Sequence, residues 1–191
     1  MKDLDKEIQT VYFGGGCFWC LEGAFGTIKE IISILPGYMG GTYANPTYDS
    51  VCSGETGHAE VIKIDFSSKN LFLEDLLKVF FGIHDPTTIN RQGMDIGSQY
   101  RSIIVCKNNF QYDEVINFIN KLEESNTYNN SIVTEVYSLE QDKIPVEKKI
   151  FWKAENEHYR YYERNSNMPY CQAVILPKIE KTKILINTKD K

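Results

Sequence analysis

The stretch TVYFGGGCFWCLEGAFGTI, Thr10 to Ile28, sets the expected fold and raises the question of function. Its β-branched and aromatic start reads as a strand and its three glycines as a tight turn. The run from Cys17 reads as a helix starting at or just before that cysteine. A helix N-terminus carries unpaired N–H groups and a partial positive charge, so a thiol placed there is expected to be partly ionised, below the ordinary value of about 8.5. Cys17 is therefore the candidate nucleophile. Cys20, one turn on, lies on the same side and is either a second redox thiol or a small buried hydrophobe.

Outward from this stretch, HAEVIKIDF alternates as a strand does, and Leu73, Leu76, Leu77 and Phe80 space as a helix face. A strand follows at RSIIVC, a helix from about Phe110 to Glu124, a strand at SIVTEVY, and a helix through AENEHYRYYERN. Strands alternate with helices, which places the chain in a mixed α+β or α/β class without fixing the topology. From Lys178 the sequence is lysine-rich and lacks a matching apolar face, so it reads as a tail.

Composition narrows the function. With 191 residues the chain can bury a core without metal or disulfide staples, which leaves its five cysteines free for chemistry. A net charge of −5 and no basic stripe argue against nucleic acid. The N-terminal MKDLDKEIQT has no signal-like apolar stretch and no run approaches a membrane span, so a cytoplasmic location is expected. Zinc needs a second ligand pair, and none is spaced for it. Glu60 falls at the start of a strand, where burial beside a thiol would raise its pKa and make it a general acid; spacing alone favours a surface carboxylate on an edge. His58, His84 and His158 read as structural histidines, and the long polar loop from His84 to Ser102 has the length and composition of a functional one.

Five segments in order, GGCFWC, GYMGGTYANPTYDSVCSGETGHAEV, IHDPTTINRQGMDIGSQYRS, IVTEV and PYCQAVI, resemble the peptide methionine sulfoxide reductase A family from about Val11 to Lys178. The resemblance implies an α+β fold, a ferredoxin-like two-layer sandwich of sheet and helices with extensive irregular loops. It divides the chain into a single catalytic reductase domain, 1–178, and a lysine-rich tail, 179–191. It implies reduction of the S epimer of methionine sulfoxide, in proteins and free, with Cys17 as nucleophile and Glu60 as proton donor. Phe18 and Trp19 would wall the substrate methyl group, Tyr48 and Tyr100 would hold the sulfoxide oxygen, and Asp95 would join through water. A sulfenic acid on Cys17 would condense with a second thiol, and thioredoxin, or dithiothreitol in vitro, would restore the enzyme with no bound cofactor or metal.

The C-terminal segment departs from the family, because PYCQAVILPKI continues as a strand-like run without glycine. The resolving thiol is thus open between Cys20 and Cys171. Cys20 needs the smaller movement, although a disulfide closed within one helical turn strains the helix. His158 followed by Tyr159 is a second departure and touches the rim of the site. Two other classes remain: a general thiol–disulfide oxidoreductase using Cys17 and Cys20 without Glu60, and a zinc-stabilised interaction module.

Overall fold

A computed structural model describes residues 8–187; the first seven residues and the last four, which close the lysine-rich segment, lie outside it. The strand read from the opening stretch is β1, Ile8–Gly14, and the helix after the glycine turn is α1, Phe18–Phe25. Then come β2 (Ile31–Met39), α2 (Tyr48–Cys52), β3 (Ala59–Ser67), α3 (Leu73–Ile83), a hairpin of β4 (Arg91–Gln92) and β5 (Asp95–Ile96), and β6 (Ile103–Cys106). The chain continues through α4 (Asn109–Glu124), β7 (Glu135–Ser138), β8 (Trp152–Lys153), α5 (Tyr161–Asn165) and α6 (Leu176–Asn187).

Six strands form one sheet in the order β7-β6-β1-β3-β2-β8, antiparallel except for β6 beside β7. The parallel pair is joined by α4, as a crossover requires. The class is α+β: in the run β1-α1-β2-β3-α3-β6, interrupted by the short α2 and the β4-β5 hairpin, β6 lies beside β1. Period-two alternation assigns the two faces. Val11, Phe13, Ile62, Ile64, Phe66, Ile104 and Cys106 point to the helices, while Tyr12, Val61, Ile103 and Val105 point to a smaller cluster covered by Leu139, Ile144 and Phe151.

Strand β2 has no counterpart among the sequence expectations, because Pro36-Gly37 interrupts it. Pro36 pairs with Ile62 of β3, and its carbonyl accepts from Ala154 N–H at 3.0 Å on the opposite side. The missing proline N–H points to that same side, where β8 is only two residues long, so the sheet loses no central bond.

The C-terminal expectations are corrected. Residues after Cys171 do not form a strand: Cys171–Ile175 is a π-helical turn that runs into α6. The β-branched run is held as helix by packing, with Cys171, Ile175 and Ile179 buried in the main core. The lysine-rich segment does have a buried face, formed by Ile179 and Thr182 with Leu185 against the core, while Lys181 and Lys183 are exposed. The helix read through AENEHYRYYERN is broken, since Arg160 takes the left-handed conformation (φ 53°, ψ 41°) between a 3-10 turn at Asn156–His158 and α5.

Candidate active site

The site is built where β1 turns into α1. Gly16 has φ +91°, a conformation only glycine adopts without strain, and its N–H donates to Tyr100 O at 3.1 Å. That bond ties the glycine turn to the loop carrying Tyr100. Cys17 is the N-cap of α1, with ψ 128° outside the helical range, and Cys20 is the third helical residue.

Glu60 is the second residue of β3, beneath this turn. It is 1% exposed, and its Oε2 accepts the Phe18 N–H at 3.0 Å. Phe18 is the first residue of α1, so Glu60 occupies a donor that the helix itself leaves unpaired. Burial dominates its ionisation, raising the pKa to about 8; the Phe18 bond opposes the shift and the Asp95 charge adds to it. Burial therefore favours the protonated carboxyl at neutral pH.

The expected activation of Cys17 by the helix end is not what the structure shows. No side-chain cap bond reaches this residue, and the helix N–H is given to Glu60. Burial at 7% exposure, then a shared hydrogen bond with Cys20 and the nearby Glu60, hold the Cys17 thiol well above the ordinary thiol range. Its partner goes the other way: the bond from Cys17, with Lys178 and Tyr170 assisting, brings Cys20 down to about 7. Of the two thiols, Cys20 is thus the one more readily ionised.

Aromatic rings wall the site. Phe18 lies 6.2 Å from Trp19, 5.1 Å from His158 and 6.5 Å from Tyr48 between ring centres. Trp19 stacks on Tyr161 at 3.7 Å with a 7° interplanar angle. Tyr48 begins α2, whose Thr47 cap accepts Ser50 N–H while Ser50 Oγ accepts Thr47 N–H. Burial raises the pKa of both Tyr48 and Tyr100, so both stay phenols and can donate; Glu60 is among the charges that face them. Asp95, from the hairpin, is raised by burial and restrained by Lys178 and Tyr170.

Cys17, Phe18, Trp19, Cys20, Tyr48, Glu60, Asp95 and Tyr100 thus converge. Cys171 lies behind them, fully buried in the π turn with Cys20 as an electrostatic neighbour. His84 and His58 are structural, as read. His84 gives its Nδ1–H to Phe80 O at 2.6 Å and accepts from Ser102 at Nε2, and burial lowers it to about 4. His158 is no satisfied core histidine. Its Nδ1 accepts Trp19 Nε1–H at 3.2 Å, which leaves Nε2 without a hydrogen-bond partner, 3.8 Å from Glu155.

Sequence reasoning missed four residues. Glu155 accepts from Tyr38 hydroxyl at 2.7 Å and from Tyr48 N–H at 2.8 Å. Glu22, a buried carboxyl on α1, accepts from Arg160 N–H at 2.7 Å and Tyr161 N–H at 3.2 Å. Its signal was a glutamate among apolar neighbours on a short helix. Tyr170 lies 3.5 Å from Cys20 Sγ, one residue before the cysteine that drew attention in PYCQAVI. Cys52, one turn after Tyr48, meets that tyrosine's hydroxyl at the lip of the site. Among the described residues no group of three or more His, Cys, Asp or Glu side chains is placed to hold a metal ion.

The sequence profile described as peptide methionine sulfoxide reductase matches residues 9–190. The chain belongs to that family. It is an oxidoreductase acting on methionine sulfoxide, and its relatives share most of its length. A reductase of the family from Trichodesmium erythraeum is 43% identical over 176 residues, covering 92% of this chain and 94% of that one. One from Natronomonas pharaonis is 46% identical over 171 residues, covering 90% and 91%. Among solved structures, the reduced form of Mxr1 from Saccharomyces cerevisiae matches with a TM-score of 0.75 at 29% identity, over 87% of this chain and 90% of that one.

Proposed function

We propose that this reductase removes oxygen from the S epimer of methionine sulfoxide, in proteins and as the free amino acid, by attack of Cys17 sulfur with Glu60 as proton donor. The observation that carries this reading is a carboxyl buried to 1% exposure, hydrogen-bonded at the head of α1 beside a buried thiol, with burial raising its pKa to about 8. A sulfoxide is a poor electrophile until its oxygen gains a proton, so the acid is needed as the sulfur–sulfur contact forms. Tyr48 and Tyr100, both phenolic, supply hydrogen bonds to the same oxygen, and Asp95 joins them through water. Phe18 and Trp19 receive the methyl group.

The proton balance follows from the thiol pair. As Cys17 attacks, the proton it shares moves onto Cys20 while Glu60 protonates the oxygen. Oxygen passes to Cys17 as a sulfenic acid, the substrate leaves as a thioether, and Glu60 is reprotonated. Cys20 then resolves the sulfenic acid. The objection from helical strain loses force, because Cys17 stands outside the helix as its N-cap. Cys171, by contrast, would need the π turn to unwind. A thioredoxin then reduces the disulfide; the yeast relative Mxr1 has been solved in complex with Trx2, which supports that class of reductant. Among the described residues no helix is long and apolar enough to cross a membrane. The five free cysteines fit a reducing, cytoplasmic setting.

A single turnover tests the proposal. Pre-reduced protein mixed with free S-methionine sulfoxide, without other reductant, is expected to give about one methionine per chain and a Cys17–Cys20 bond on peptide mapping. Cys17→Ser is expected to give none while keeping the parent's melting temperature. Absence of methionine from the parent protein would overturn the reading.

A further inference from the structure

The C-terminal segment faces the thiol pair. Tyr170 hydroxyl lies 3.5 Å from Cys20 Sγ, and the ring meets Trp19 edge-on at 6.3 Å and 77°, which fixes where the hydroxyl points. The same hydroxyl is a hydrogen-bonding neighbour of Asp95 and of Cys17. A phenol has one proton to give and two lone pairs. Either partner of the Tyr170–Cys20 contact can donate, so the phenol is able to accept from a Cys20 thiol and to donate to a Cys20 thiolate.

We propose that Tyr170 is a catalytic residue of the disulfide-forming step, its hydroxyl holding Cys20 as the attacking thiolate while Cys17 carries the sulfenic acid. This rests on the reading that Cys20 resolves. In the step the Cys20–Cys17 sulfur bond forms and the sulfenic S–O bond breaks. Hydroxide leaves with the bonding pair and takes up the proton released by the Cys20 thiol, so one thiol and one sulfenic acid give one disulfide and one water. Cys20 sulfur is oxidised and Cys17 sulfur reduced, with no outside reagent. The groups facing Cys20 are Cys17 from the glycine turn, Glu60 from β3, Asp95 from the hairpin, Tyr170 and Cys171 from the π turn, and Lys178 from α6. Lys178 supplies the positive charge among them, and Tyr170 the directed donor.

Tyr170→Phe keeps the ring and its contact with Trp19 and removes only the hydroxyl. In a single turnover with free S-methionine sulfoxide, methionine is followed by quenched flow, sulfenic acid by a dione trap, and the disulfide by peptide mapping. The disulfide step of the variant is expected to slow about tenfold more than its methionine step. Trapped sulfenic acid is expected to rise, and the pH at half-maximal disulfide rate to move upward. Lys178→Met is expected to move that pH in the same direction by less, which loss of packing alone would not do. Equal slowing of both steps, or a disulfide step and pH profile like the parent's, would overturn the role of Tyr170. A parent disulfide between Cys17 and Cys171 would instead remove the underlying reading, and the parent's peptide map separates the two failures.

Discussion

Glu60 shows how far one position can be read from sequence. Its place at a strand start and the family motif made it the candidate acid, but its protonation comes from burial under α1, which no local spacing encodes. Cys17 shows the limit: the helix end was legible, the occupation of its N–H by a residue 42 positions away was not. Glu60→Gln is expected to slow the methionine burst by about a hundredfold or more, measured by quenched flow. In the parent that rate is expected to fall as pH rises through about 8, because the protonated form is the competent one. The linked effect on stability has the same sign. A carboxyl with a raised folded pKa stabilises the fold fully below the ordinary carboxyl range, and that stabilisation is lost as pH rises to about 8. His84 and Cys20, both lowered, act in the opposite sense, so the difference between parent and variant is the quantity to follow. Urea titrations are expected to show Glu60→Gln gaining on the parent by on the order of 1 kcal/mol per pH unit between about pH 5 and 8.

At the scale of elements, β1, α1, β3, α3 and α4 are legible from residue types and their spacing. Strand β2 and the C-terminal helix are not, since a proline next to a two-residue edge strand and a β-branched run packed as helix both set local preference against tertiary contact. The strap from Glu155 to Tyr161 was equally illegible: a polar run becomes an ordered support when two glutamates grip its backbone and that of α2. Glu22 is the grip nearest the rings. Glu22→Ala leaves the Arg160 and Tyr161 N–H groups without their acceptor and releases Tyr161 from Trp19. The expected cost is about 2 kcal/mol of stability, with a rise in KM for methionine sulfoxide larger than the fall in kcat. Steady-state kinetics and tryptophan fluorescence check both, and Glu22→Gln, which keeps one acceptor, is expected to recover part of each.

For the molecule as a whole, the C-terminal helix belongs to the core that supports the site. Ile179 is buried against the face of α1 and α3, and Leu185 fills the space beside Gly82. Ile179→Ala is therefore expected to cost about 2–4 kcal/mol, read as a lower urea midpoint with an unchanged slope. A substitution in a free tail would have no such effect.

Between Phe13 and Cys17 the chain is bare backbone, and it passes so near β3 that a side-chain carbon on Gly14 would sit 2.8 Å from Glu60 O. The approach of this turn to the strand that carries Glu60 is thus set by main-chain thickness at Gly14. The reach of the Glu60 side chain is a separate variable. Shortening it to aspartate withdraws the carboxyl by one carbon–carbon bond, about 1.5 Å, and nothing in the glycine turn can advance to meet it. Two residues of the same chemistry are therefore not interchangeable here, and the spacing, more than the acidity, is what this stretch of chain conserves in physical terms.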